Sequence, residues 1–174
     1  MRKLKSIALT SATLVLLLMA GCSKSDDQKD FENEAYSAPA NYTAMNANGQ
    51  PAVSNQTDPD DWRISPMYRG LVEVETEAYP NPVFINSTFR IFIGINYITN
   101  LSRIEAFVFQ TGFNQDGTGA IDTIEESQIS EGTIPALIIS PSSFPQNKLD
   151  NLYRVILFDQ SGNVITYGDV KVNE

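Results

Sequence analysis

The chain has 174 residues, 21 of them acidic and 12 basic, for a net charge of −9, with no histidine and one cysteine. Without histidine it lacks the commonest general base and the commonest transition-metal ligand, and one cysteine cannot form an intrachain disulfide. The excess of acid repels phosphate backbones, which excludes nucleic acid as a partner.

Residues 1–21 read as a signal peptide, with Arg2, Lys3 and Lys5 ahead of an apolar stretch from Ile7 to Ala20. Thr10, Ser11 and Thr13 dilute that stretch, and a membrane-spanning helix needs about 20 predominantly apolar residues. Ala20 and Gly21 supply the narrow side chains that a signal peptidase needs beside the scissile bond. Leu18-Met19-Ala20-Gly21-Cys22 resembles the lipobox of bacterial lipoprotein precursors, with Met19 where leucine is usual. The resemblance implies cleavage before Cys22, a diacylglycerol on its thiol and a palmitate-type acyl chain on the new amino terminus. Cys22 is thus the expected lipid attachment, and each buried methylene adds about 0.8 kcal/mol of membrane affinity. Ser23-Lys24-Ser25-Asp26-Asp27 resembles the acidic tag of surface-exported lipoproteins of the Bacteroidota. Ser23, which is not the aspartate of an inner-membrane retention signal, favours the outer membrane. Loss of Arg2, Lys3 and Lys5 with the signal takes the net charge from −9 to −12.

From 22 to 61 the chain is rich in Asn, Ala, Ser, Gln, Asp and Pro, and Tyr36, Tyr42 and Met45 fall at no helical or strand period. This composition predicts a flexible tether with a coil-like reach of roughly 35 Å. Residues 62–174 are expected to fold. Trp62 reads as closing the edge of the core rather than as an exposed carbohydrate platform.

Strand signals follow. Leu71–Glu77 alternates Val72, Val74 and Thr76 with Glu73, Glu75 and Glu77, the pattern of a strand with one wet face and an acid-protected edge. Tyr79-Pro80-Asn81-Pro82 stops it, because proline donates to no ladder. Phe89, Ile91, Ile93 and Ile95 share one face of the next strand; in Arg103–Gln110, Ile104, Ala106 and Val108 oppose Phe107 and Phe109. A weaker strand is expected over Thr133–Ser140. Leu152–Asp159 and Asn163–Val172 form a hairpin across Gln160-Ser161-Gly162-Asn163. Six or seven short strands in about 110 residues, with no amphipathic helix, predict an all-β fold, a β-sandwich.

Tyr153-Arg154-Val155-Ile156-Leu157, after Leu149 and a polar turn, resembles the tyrosine corner of immunoglobulin-like and fibronectin-like domains. Tyr167, by contrast, is placed in no such corner, and it is expected to be unengaged, so that its replacement by phenylalanine is nearly neutral. More broadly, the YPNP tetrapeptide and the strands after it resemble the immunoglobulin-like C-terminal sorting domain of type IX secretion cargo. The segment 112–147 is an insert against that pattern, so the shared fold is expected without the sorting function. Within it, residues 114–125 partly match a calcium loop, with Asn114, Asp116, Thr118, Asp122 and Glu125 at ligand positions. The missing first aspartate and the absent flanking helices favour a plain acidic loop.

No pair of carboxylates stands at a spacing that marks catalysis, so no catalytic residue, metal or cofactor is assigned. The sequence predicts a lipid-anchored envelope protein, with a membrane contact through Cys22 and a protein partner. Glycan or nutrient binding is the rival reading.

Overall fold

The computed structural model describes residues 24–52, 56–97, 101–109, 120–145 and 151–174. Eight strands are formed among these residues: β1 (Val72–Tyr79), β2 (Val83–Phe84), β3 (Phe89–Ile95), β4 (Arg103–Phe109), β5 (Asp122–Glu125), β6 (Ala136–Ile139), β7 (Leu152–Asp159) and β8 (Val164–Asn173). They divide into a three-stranded sheet, β1-β3-β6, and a five-stranded sheet, β2-β8-β7-β4-β5. All pairings are antiparallel except that of β2 with β8.

Period-2 alternation explains the core between the sheets. Phe89, Ile91, Ile93 and Ile95 point from β3 toward Ile104, Ala106 and Val108 of β4 and Tyr153, Val155 and Leu157 of β7, all in one apolar cluster. β1 forms an edge of its sheet, with Glu73 and Glu75 exposed as expected of a protected edge. The β7–β8 turn is held by Asp159, whose Oδ1 accepts from the backbone N–H groups of Ser161 and Asn163 at 2.8 and 2.7 Å. Gly162 supplies the positive φ of 78° that the turn requires.

The outer face of the five-stranded sheet is also apolar, and this changes the reading of the N-terminal segment. Ile156, Phe158, Val164 and Tyr167 form a second cluster with Phe107 and Phe109 packed beside it. A helix, α1 (Asp26–Ala35), covers this face with Phe31 and Ala35. The stretch expected to be a flexible tether is therefore packed on the sheet where it is described. Ser25 caps the helix by accepting the Gln28 N–H at 3.2 Å, and Asp26 and Asp27 complement the positive helix end. Ten residues are too few for a stable isolated helix; burying the Phe31 ring contributes about 1.5–3 kcal/mol toward holding it in place.

Candidate functional site: a buried acid–arginine node

Arg154 and Asp169 are directly paired across β7 and β8 on the outer sheet face. The guanidinium grips the carboxylate with two parallel bonds, Nε to Oδ1 at 2.7 Å and Nη2 to Oδ2 at 2.9 Å. Its remaining nitrogen, Nη1, donates to the carbonyl of Glu34 at 2.7 Å and to Ser37 Oγ at 3.0 Å, binding the end of α1. The ring of Tyr167 lies under the guanidinium at 4.8 Å and against Phe31 at 5.1 Å between centroids. The Tyr167 hydroxyl accepts from Arg63 Nη2 at 2.9 Å and donates to Glu34 Oε2 at 3.1 Å. The expectation that Tyr167 is unengaged is corrected: a strand neighbour of Arg154 has acquired partners from a segment read as tether.

A second carboxylate extends the node. Asp61 accepts the Thr43 N–H on Oδ2 and the Asp169 N–H on Oδ1, both at 2.7 Å. Asp169 also accepts the Ala40 N–H at 3.2 Å. Asn81, fully buried inside the YPNP tetrapeptide, donates from Nδ2 to the carbonyls of Thr43 and Asp169 and accepts the Lys171 N–H. Its backbone exchanges two further bonds with Met45. Both X-Pro bonds of the tetrapeptide are cis. The tetrapeptide thus continues the edge of β8 and clasps the chain around Met45.

The electrostatics follow from burial. Desolvation pushes the Asp61 carboxyl up to about 7, with the charges of Asp169 and Asp58 adding to the rise and the two backbone donors opposing it. Burial likewise raises Asp169, against the pull of Arg154. Burial would raise Asp159 too, but hydrogen bonds from Tyr68 and Asn163 outweigh it and hold that carboxyl below the usual range. Oxygens of Asp58, Asp61 and Asp169 lie within 4.8 Å of one another, a spacing that could suit a cation. Arg154 already occupies the face of Asp169, however, and backbone donors occupy both oxygens of Asp61. The arrangement binds the chain to itself: one guanidinium and two buried carboxylates fasten Glu34, Ser37, Ala40 and Thr43 to the sheet.

The other residues singled out by sequence are placed as follows. Cys22 lies outside the described residues, as do Asn114, Asp116 and Thr118. Asp122 and Glu125 stand three apart in β5, so their side chains leave opposite faces of the strand and do not converge as loop ligands would. Asp122 instead accepts the Ile138 N–H of β6 at 2.6 Å, joining the edges of the two sheets. Trp62 is 4% exposed, which removes it as a carbohydrate platform. Its φ of 60° is held by an N–H bond to the Tyr167 carbonyl at 2.6 Å, and a Cβ on Gly168 would overlap its indole. Tyr153 is fully buried, and its hydroxyl donates to the Pro145 carbonyl, eight residues upstream, at 3.1 Å.

Asp61, Asn81 and the Arg154–Asp169 pair escaped the sequence reading. Only the pair left a signal: a four-residue turn over 160–163 sets Arg154 opposite Asp169, one charge of each sign inside two apolar strands. No helix among the described residues is long and apolar enough to cross a membrane. Comparisons with protein-family models, curated proteins and solved structures gave no match.

Proposed function

We propose that the chain is a lipid-anchored protein of a bacterial outer membrane or cell surface, whose immunoglobulin-like β-sandwich serves as a non-catalytic binding or accessory module. The observation that carries the reading is the single cysteine at the end of Leu18-Met19-Ala20-Gly21-Cys22, after a basic and then apolar leader. A thiol with no cysteine partner and no histidine beside it in sequence has its simplest use in lipid attachment. The immunoglobulin-like part is supported by two sheets sharing one core and by the Tyr153 hydroxyl reaching back to Pro145, the geometry of a tyrosine corner. The non-catalytic part of the reading draws support from the node, whose perturbed carboxylates Asp61 and Asp169 are engaged in docking the chain's own segment.

Membrane fractionation of cells carrying Cys22→Ser tests the anchor. The substituted protein leaves the outer-membrane fraction or accumulates unprocessed; membrane retention with unchanged processing contradicts the reading. Affinity capture of the wild-type lipoprotein from solubilised membranes identifies the partner, and recovery of the lipoprotein alone argues against an accessory role.

A further inference from the structure

We infer that one end of the folded body, marked by Met67 and Tyr97, rests on the lipid bilayer. The inference depends on lipid attachment at Cys22, and it follows from how little chain separates that residue from the body. Ser25 already caps α1 through the Gln28 N–H. Three peptide steps from Cys22 to Ser25 reach at most about 11 Å, far less than the long tether that the composition suggested. The start of α1 must therefore lie near the membrane surface, while Ala35 lies about 15 Å further along the helix axis.

The neighbours of that helix start define the contacting end. The Gln28 side chain, one turn into α1, accepts the backbone N–H of Met67 at 3.1 Å. Met67 precedes Tyr68, whose carbonyl accepts the Leu71 N–H, and the Leu71 carbonyl in turn accepts from Asn96 and Tyr97. Tyr68 also donates to Asp159 at 2.6 Å. Met67, Tyr97 and the 160–163 turn thus gather where β1 begins and where β3 and β7 finish. Met67 is 42% and Tyr97 60% exposed, large apolar side chains at the end that the anchor holds down. Tyrosine, with an apolar ring and a polar tip, suits a membrane interface. Lys24 and Lys29 are paired with Glu32 and Asp26, and Asp27 and Asp30 stand exposed on the same helix, so the contact is made with a zwitterionic surface and not through a strong basic patch. Phe84, 60% exposed, lies at the other end, where β2 pairs with the last residues of β8.

Full-length lipidated protein in phosphatidylcholine vesicles with a nitroxide-labelled headgroup lipid provides the test. The lipid blocks the Cys22 thiol, so Met67→Cys, Tyr97→Cys and Phe84→Cys each offer a single site for an environment-sensitive fluorophore. Labels at 67 and 97 are expected to be quenched severalfold more than the label at 84. Equal or stronger quenching at 84 overturns the orientation. So does the absence of quenching at all three positions, the outcome for a body held clear of the lipid surface. Intact mass separates the two levels: a lipidated protein with the wrong quenching pattern overturns the orientation alone, whereas an unlipidated protein that leaves the vesicles overturns the anchor and the orientation together.

Discussion

Arg154 and Asp169 occupy opposite places on the β7–β8 ladder, joined by bonds of 2.7 and 2.9 Å, and the same guanidinium holds the carbonyl end of α1. One pair therefore both bridges two strands and fastens the N-terminal segment to the outer sheet face. Removing either partner leaves the other buried charge without its bidentate ion pair. Asp169→Ala is expected to cost about 3–5 kcal/mol, read as a lower urea midpoint. A change below ~1 kcal/mol would place the pair in a far wetter setting than its burial implies.

Phe31 is the main apolar contact of α1 with the sheet, set against Tyr167. Phe31→Ala is expected to cost about 3–5 kcal/mol if the site cannot collapse. Because the two-sheet core does not contain Phe31, the loss should appear first as local opening. Limited proteolysis would cut the variant between residues 26 and 52 well before the strands, while the wild type resists there. Rapid cutting of the wild type in this stretch would restore the tether.

The strands were legible where alternation is strong. Phe89-Arg90-Ile91-Phe92-Ile93 can form only a strand with one buried face, and Leu152–Asp159 matches its expected bounds. Phe107 and Phe109 on the second face of β4 already signalled a sheet that needs covering on both sides. The cover itself was hidden, because α1 has only Phe31 and Ala35 as apolar anchors and is otherwise held by polar contacts of Gln28 and Glu34. Its cap, Ser25 followed by Asp26, Asp27 and Gln28, was nonetheless a readable start signal. Asp61 and Asn81 were not readable: their partners lie up to 108 residues away, and no local pattern encodes that distance.

Tyr153→Phe removes the hydrogen bond from the hydroxyl to Pro145. The expected cost is about 0.5–1.5 kcal/mol, a fall of roughly 4 °C or somewhat more in melting temperature. Tyr167→Phe removes bonds to Arg63 and Glu34. Both charged partners are substantially exposed, so the cost is about 1–2 kcal/mol rather than more. Equal sensitivity of the two positions fits the structure, whereas a neutral Tyr167→Phe contradicts the docking of Glu34 and Arg63.

The Asp61 carboxyl, held near 7 in the folded chain, titrates near 4 when unfolded. Between these values the folded state binds the extra proton, so this group's contribution to stability is full below about pH 4 and is lost as pH rises toward 7. The slope is at most about 1.4 kcal/mol per pH unit for one proton. Asp61→Asn removes that slope while leaving one backbone donor facing an amide, at a cost of about 1–3 kcal/mol. Denaturation midpoints of both proteins from pH 4 to 8 check this; parallel profiles contradict the assignment.

The most direct measurement of the central claim is the intact mass of the mature protein from its native membrane. A lipid-anchored protein yields a chain beginning at Cys22 and carrying diacylglycerol and an acyl chain, with both absent from Cys22→Ser. A mature chain that begins elsewhere, or that begins at Cys22 without lipid, contradicts the anchor.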